Sequence, residues 1–287
     1  MTNSATASAG ATRSPGDEPA PPLLPDRARR LRRINVLLFL LHGGQALVLV
    51  LLTTDFTIPI TQTFPEGPPG SAAPASAPLL EPRLGFLVAA FLALAAIDHL
   101  VVALPGVHRT YERLLARSRQ PFRWAEYSIS ATLMVLLIGS LSGITNVASL
   151  IGIAGANVAM ILFGHRMERV NEGPPDRSGQ GVTWQPFVWG CLVGLFPWAA
   201  IVVNTLGSEF TKADTAQGPP GFVYGIIASL FVLFMSFAVV QFLQMRARTR
   251  GGRFADPATT ETAYLVLSLV AKSLLAWQIF ANVLIAM

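Results

Sequence analysis

The sequence predicts an all-α membrane protein with seven transmembrane helices, and three observations support that fold class. Hydrophobic residues make up 52% of the 287 residues and charged residues only 13%, whereas soluble proteins carry about 25% charged residues. Seven apolar stretches each reach the roughly 20 residues that span a bilayer. Arginines are concentrated in every second connection between those stretches, which indicates a single membrane orientation.

Hydropathy windows of about 19 residues indicate where the seven helices begin and end. They cover residues 34–54, 84–104, 124–142, 146–165, 187–206, 222–245 and 261–286. None has the short apolar core and small-residue cleavage site of a signal peptide. Residues 1–26 are rich in Ser, Ala, Pro and Gly, a composition that predicts a disordered cytoplasmic tail. Residues 27–287 are predicted to form one helical domain.

The distribution of positive charge predicts a cytoplasmic N-terminus and an outside C-terminus in the cell membrane. One set of flanks holds Arg13, Arg27, Arg29, Arg30, Arg32, Arg33, Arg109, Arg113, Arg117, Arg119, Arg123, Arg166, Arg169, Arg177, Arg246, Arg248, Arg250 and Arg253; the other holds Arg83 and Lys212. This asymmetry accounts for the net charge of +5 without a nucleic-acid partner. The basic loops fit either anionic membrane lipid or an acidic cytoplasmic signalling partner.

Two connecting segments carry a pattern of their own. Thr and Ile alternate over residues 56–64, which predicts a small β-hairpin in the first outside loop, with residues 65–78 irregular. Residues 106–123 place Tyr111, Leu114 and Leu115 on one side and arginines on the other, as in an amphipathic segment at the inner membrane surface.

Lys272 is the most informative residue, because about ten apolar residues flank it on each side within the last helix. A lysine at the centre of a membrane costs at least roughly 2.5 to 3.5 kcal/mol. Either a paired carboxylate or a covalent use of the amine, such as a Schiff base, would account for it.

Other polar residues lie at similar depths in neighbouring helices. At 1.5 Å per residue, His42, His99, Asn157 and Lys272 lie about 9 to 16 Å from the inner ends of their helices, which predicts a shared polar cavity. Both histidines could also be hydrogen-bonded core residues, and Asn157 could join helices instead of lining a site.

A carboxylate is required near Lys272, and two acids are available. Asp98 has the more suitable depth. Glu126 follows Arg123 by only three residues, so it reaches Lys272 only if the preceding connection dips into the membrane. We expect Asp98 to act as a structural hydrogen-bond acceptor.

The arrangement resembles the microbial-type rhodopsins, which have seven helices, a lysine in the seventh and an acid one turn after an arginine in the third. The segments that carry the resemblance are Arg123-Trp-Ala-Glu126-Tyr-Ser-Ile-Ser130, Ala96-Ile-Asp-His99 and Ser268-Leu-Val-Ala-Lys272-Ser, together with His42 and Asn157. With the inverted orientation, they resemble the heliorhodopsins in particular. The resemblance covers residues 34–287.

This resemblance implies a light-sensing protein with all-trans retinal on Lys272 as a protonated Schiff base and Glu126 as counterion. His42, His99 and Arg123 would form a proton network, while Ser268, Ser130, Asn157 and Trp277 would contact the chromophore. A homodimer that uses the first outside loop is also implied, as is a slow photocycle.

The spacing of residues argues against ion pumping. Glu126, Ser130 and Leu137 share one helix face, on which proton pumps of this class carry an acid, a hydroxyl and a second acid. Here the last of these positions is apolar, and Ser268 replaces a second carboxylate one turn before Lys272. A light-driven or light-gated ion transporter, or a retinal-free carrier that binds substrate at Lys272, remains the alternative. The sequence contains no phosphate-binding loop and no group of His and Cys residues at the spacing of metal ligands. We therefore expect that the protein is not an enzyme.

Overall fold

The computed structural model describes residues 23–71, 75–172, 181–211 and 218–284. Its helices are α1 (Pro25–Leu51), α2 (Leu84–Ala103), α3 (Pro105–Ala116), α4 (Pro121–Leu141), α5 (Val147–Val170), α6 (Gln185–Thr211), α7 (Gly221–Arg250) and α8 (Pro257–Ile279), and its strands are β1 (Ile60–Thr63) and β2 (Ser76–Leu80). All helices except α3 are long and apolar enough to cross a membrane. The seven-helix bundle predicted from the sequence is thereby confirmed.

The spanning helices enclose a continuous apolar core. Along the chain, α1 packs against α2, α4 against α5, and α5 against α6, while α8 contacts α1, α2 and α7. The core includes Phe91 of α2, Leu137 of α4 and Leu275 of α8, each at most 2% exposed. Side chains on the outer surfaces of the helices are largely apolar, as a lipid environment requires.

Helix boundaries extend beyond the predicted apolar stretches. The first helix begins at Pro25, nine residues before the predicted start, and α7 continues to Arg250. Hydropathy windows detect only the part of a helix inside the membrane, whereas proline at the first position favours an earlier start. After α8, a single π-helical turn covers Phe280–Leu284. Residues 1–22 of the predicted tail and 285–286 of the predicted last helix lie outside the described residues.

The first long loop contains the predicted hairpin. Strands β1 and β2 pair antiparallel, with an irregularity between Ile60 and Thr61. The prediction that residues 65–78 are irregular is wrong at its end, because Pro78 lies opposite Thr61 within β2. Proline is tolerated there because a two-stranded sheet consists only of edges. The backbone N–H of Thr61 donates to Thr145 O (2.9 Å), which fixes the hairpin on the α4–α5 turn.

The amphipathic segment forms helix α3, at the opposite end of the bundle from the hairpin. Tyr111 and Leu115 are 1% and 4% exposed and pack inward, while Arg109 and Arg113 face outward. The turn that follows is buried at Gln120, which is 1% exposed. Helix α4 therefore starts inside the bundle, which gives Glu126 the depth that the sequence alone left in doubt.

Candidate functional site

Lys272 and Glu126 form a buried ion pair between α8 and α4. Lys272 Nζ donates to Glu126 Oε1 at 2.6 Å, and the two side chains are 6% and 7% exposed. The Lys272 ammonium also lies 5.4 Å from the ring centroid of Tyr127, within the range of a cation–π contact. Burying either charge alone would be strongly unfavourable, so the pair is the electrostatic condition for a lysine at this depth.

A mainly apolar cavity of about 200 Å³ extends from Lys272 between α4, α5, α6, α7 and α8. Its walls are aromatic, aliphatic and sulfur-containing side chains with few polar groups: Phe91, Trp124, Tyr127, Met134, Met160, Ile161, Phe187, Leu195, Leu230, Phe234, Met235, Phe237 and Tyr264. Gly164 gives Trp124 room, because a Cβ at this position would clash with the indole ring. The cavity suits an elongated apolar group that ends at the Lys272 nitrogen.

Ser130 and Ser268 contribute hydroxyl groups to the wall of this apolar cavity. The Ser130 hydroxyl is buried and forms no hydrogen bond with the residues that the structure describes. Ser268 lies one helical turn before Lys272 and faces the same interior, as its sequence position predicts. Leu137, at the position of the second acid in pumps, is 2% exposed and belongs to the apolar core.

A second, polar cavity with about 20 Å³ of space lies between Lys272 and the α3 end of the bundle. It is bordered by the charged or polar residues Asn35, Asp98, His99, Tyr111, Gln120, Arg123, Glu126, Tyr127, Glu261 and Ser268. Tyr127 and Ser268 line both cavities and so separate them. The polar cavity brings Glu126, His99 and Arg123 together, three of the residues that the sequence assigned to one site.

Arg123 points away from Lys272 and forms the centre of a buried charge cluster. Its guanidinium forms ion pairs with Glu168 of α5 and Glu261 of α8, and all three side chains are at most 6% exposed. The Trp124 indole donates to Glu168 (2.7 Å), and the Tyr111 hydroxyl donates to Glu261 (3.0 Å). Through these contacts the cluster joins α3, α4, α5 and α8 at the border of the polar cavity.

Sequence reasoning missed the two acids that hold Arg123. Glu261 served only to mark the start of the last helix, and Glu168 was not singled out. The available signal was the depth of Arg123 itself, since a buried guanidinium requires carboxylate partners. Burial of Tyr111, together with the neighbouring Glu261 carboxylate, raises the pKa of its hydroxyl well above the usual value.

The two histidines stack on each other between α1 and α2. Their ring centroids lie 5.6 Å apart with an interplanar angle of 7°. His99 Nδ1 lies 2.9 Å from Asn35 Oδ1, whereas neither ring nitrogen of His42 has a hydrogen-bond partner in the described part of the chain. His99 borders the polar cavity, and His42 lies behind it.

Two predicted contact residues do not border either of these cavities. Asn157 is fully buried, and its side-chain amide donates to Thr132 Oγ1 (2.9 Å), so it joins α5 to α4. Trp277 is 39% exposed and donates to Gln45 Oε1 (3.0 Å). The expectation for Trp277 was wrong because five residues of α-helix rotate it about 140° from Lys272.

Comparisons with known proteins agree with this architecture. The family model described as Heliorhodopsin matches residues 31–284. A search of curated proteins gave no match. Among solved structures, the chain is similar to the light-driven proton pump rhodopsin CsR of Coccomyxa subellipsoidea, with a TM-score of 0.60, 17% identity, and 91% of this chain and 98% of that chain covered.

Two further solved structures share the fold. Cyanorhodopsin from the cyanobacterium Tolypothrix sp. NIES-4075 has a TM-score of 0.62 and 11% identity, with 91% of this chain and 96% of that chain covered. The transmembrane domain of Salpingoeca rosetta rhodopsin phosphodiesterase has a TM-score of 0.56 and 14% identity, with 92% of this chain and 90% of that chain covered. At such identities the likeness concerns the fold alone, whereas the family model spans most of the sequence. The chain therefore belongs to the heliorhodopsin family.

Proposed function

We propose that the protein is a light sensor in which all-trans retinal is bound to Lys272 as a protonated Schiff base with Glu126 as its counterion. The observation that carries this proposal is the buried Lys272–Glu126 pair at the end of a mainly apolar cavity. The residues fit the chromophore, since the polyene needs apolar walls and the positively charged Schiff base nitrogen needs a nearby carboxylate. The proposed activity is sensing, without catalysis on a separate substrate.

Retinal would supply light absorption and an isomerisation that changes the direction of the nitrogen–proton bond. Glu126 would stabilise the positive nitrogen in the resting protein and lose that contact after the isomerisation. The proton would then be held on the polar side of the Tyr127–Ser268 partition, among Glu126, His99 and His42, and returned slowly. Arg123 would not receive it directly, because its guanidinium is occupied by Glu168 and Glu261.

The absence of pumping is part of the same proposal. Leu137 is an apolar core residue and cannot reload a proton, and Ser268 is not a carboxylate. Light-induced acidification or alkalinisation of a cell suspension, abolished by a protonophore, would instead favour an ion transporter.

Replacing Glu126 with Gln tests the counterion assignment. We expect a red-shifted absorption maximum or loss of the proton from the nitrogen at neutral pH, because the positive charge loses its nearest carboxylate. Glu66→Gln, at an exposed position in the first loop, is the matched control and should leave the spectrum unchanged. A Glu126→Gln spectrum identical to that of the unaltered protein would refute the assignment.

We further propose a cell-membrane protein with a cytoplasmic N-terminus that forms a homodimer through the side carrying the hairpin loop. The exposed Phe64 and Leu80 of that loop provide apolar surface for such a contact. Native mass spectrometry in mild detergent is expected to give twice the chain mass, reduced to a single chain mass by Phe64→Ser combined with Leu80→Ser. A monomer mass for the unaltered protein would contradict dimerisation.

The arginine-rich ends of the helices would face lipid headgroups and a cytoplasmic signalling partner.

A further inference from the structure

The polar region beside Lys272 contains more carboxyl groups than cations. Asp98, Glu126 and Glu261 border the polar cavity, and Glu168 joins them through Arg123. The only Lys and Arg side chains paired with these acids are those of Lys272 and Arg123, as far as the described residues extend. If all four acids and both cations were ionised, this group of six side chains would carry two uncompensated negative charges.

Three of the four acids have partners that stabilise a carboxylate. Glu126 is paired with Lys272. Glu261 forms an ion pair with Arg123 and accepts a hydrogen bond from the Tyr111 hydroxyl. Glu168 forms an ion pair with Arg123 and accepts hydrogen bonds from the Trp124 indole and from the backbone N–H of Gln120, the latter at 2.8 Å. Donated hydrogen bonds and a nearby cation favour the charged form of each acid.

Asp98 differs from these three acids. It is partly buried on α2 and borders the same cavity as Glu126, yet it forms no ion pair or hydrogen bond with any residue in the described ranges. The structural hydrogen bond that we expected Asp98 to accept is therefore not formed with any of these residues. Neither His99 nor His42 forms an ion pair with Asp98 within the described ranges, and the two rings stack on each other instead.

Electrostatics then decides which acid keeps a proton. Like charges that share a desolvated site cannot all ionise, and the proton remains on the group with the weakest support for its charged form. That group is Asp98. A neutral carboxyl group has an O–H donor as well as acceptor oxygens, and the polar cavity that Asp98 and Glu126 both border has room for about one water molecule.

We propose that Asp98 holds a proton in the resting protein and acts as a latent second counter-charge for Lys272. While Asp98 is neutral, Glu126 is the one negative charge beside the Lys272 nitrogen; loss of the Asp98 proton would place a second one on the same side of the bundle. The first half of this inference depends only on the charge cluster. The second half rests on the proposed retinal function.

Infrared spectroscopy of retinal-free protein at neutral pH tests the first half independently of the chromophore. We expect a carboxylic C=O stretching band that shifts when aspartate is isotopically labelled and disappears in Asp98→Asn. Asp55→Asn is the control and should keep the band, because Asp55 is exposed and paired with Arg83. Absence of an aspartate-sensitive C=O band from the unaltered protein, or its retention in Asp98→Asn, would overturn the proposal. The labelling experiment needs no variant to fold.

Absorption spectra of retinal-loaded protein test the second half. Because asparagine mimics a neutral carboxyl group, Asp98→Asn should leave the absorption maximum nearly unchanged while Glu126→Gln shifts it. A red shift in Asp98→Asn as large as that in Glu126→Gln would mean that Asp98 is already ionised, and would overturn the proposal. If the protein bound no retinal at all, the proposed function would fail, but the infrared result would still decide the protonation of Asp98.

Discussion

Replacement of Lys272 by Ala is expected to abolish the visible absorption band of protein expressed with retinal. Lys272 is the buried amine at the end of the apolar cavity, and its nitrogen is the atom to which the chromophore would be bound. The expected effect is complete loss of colour, measured by absorption spectroscopy of the purified protein. A Lys272→Ala variant that keeps the band would contradict the attachment site.

The chain supplies a matched control, since Lys212 is the one other lysine in the sequence. Lys212→Ala should retain full colour. Lys272→Ala also leaves Glu126 buried without its partner, a change that costs about 3 to 5 kcal/mol. The double variant Lys272→Ala with Glu126→Gln removes that penalty and should fold better while remaining colourless, which separates loss of attachment from loss of structure.

Arg123→Gln is expected to destabilise the bundle strongly. It leaves Glu168 and Glu261 buried without a cation, and breaking a buried pair in this way costs about 3 to 5 kcal/mol. A thermal unfolding experiment in detergent should give a clearly lower midpoint temperature than for the unaltered protein. The reason is electrostatic, because glutamine can still donate hydrogen bonds but carries no charge.

Two comparisons isolate this effect. Arg113→Gln, at an exposed position of α3, should change the stability by no more than about 0.5 kcal/mol. Combining Arg123→Gln with Glu168→Gln and Glu261→Gln removes all three charges of the Arg123 cluster and should restore much of the lost midpoint temperature. If Arg123→Gln were no more harmful than Arg113→Gln, the cluster would not hold the helices together.

The fold and the need for an acid beside Lys272 could be predicted from the sequence, because both depend on local patterns. Seven apolar stretches of membrane length can form only a few architectures, and a lone lysine such as Lys272 demands an acid partner. Glu126 was identified by resemblance, whereas hydropathy alone could not place it at the depth of Lys272. Its depth depends on the buried turn at Gln120, which no periodic pattern reveals.

The remaining details depend on the rotation and depth of one helix relative to another. Glu168 meets Arg123 because the α5 end lies beside the start of α4, a relation that the sequence does not contain. Asn157 faces Thr132 instead of the cavity for the same kind of reason. For Trp277 the sequence does contain the relevant relation, since helical geometry places it on a different face from Lys272. Asp98 became informative only when the structure revealed that the other acids have partners.

Covalent binding of retinal to Lys272 can be detected by peptide mass spectrometry. Protein purified from cells supplied with retinal would be reduced with borohydride under illumination, digested and analysed. We expect a retinyl mass increment on the peptide that contains Lys272 and on no other. An increment on the Lys212 peptide, or none on either peptide, would contradict it.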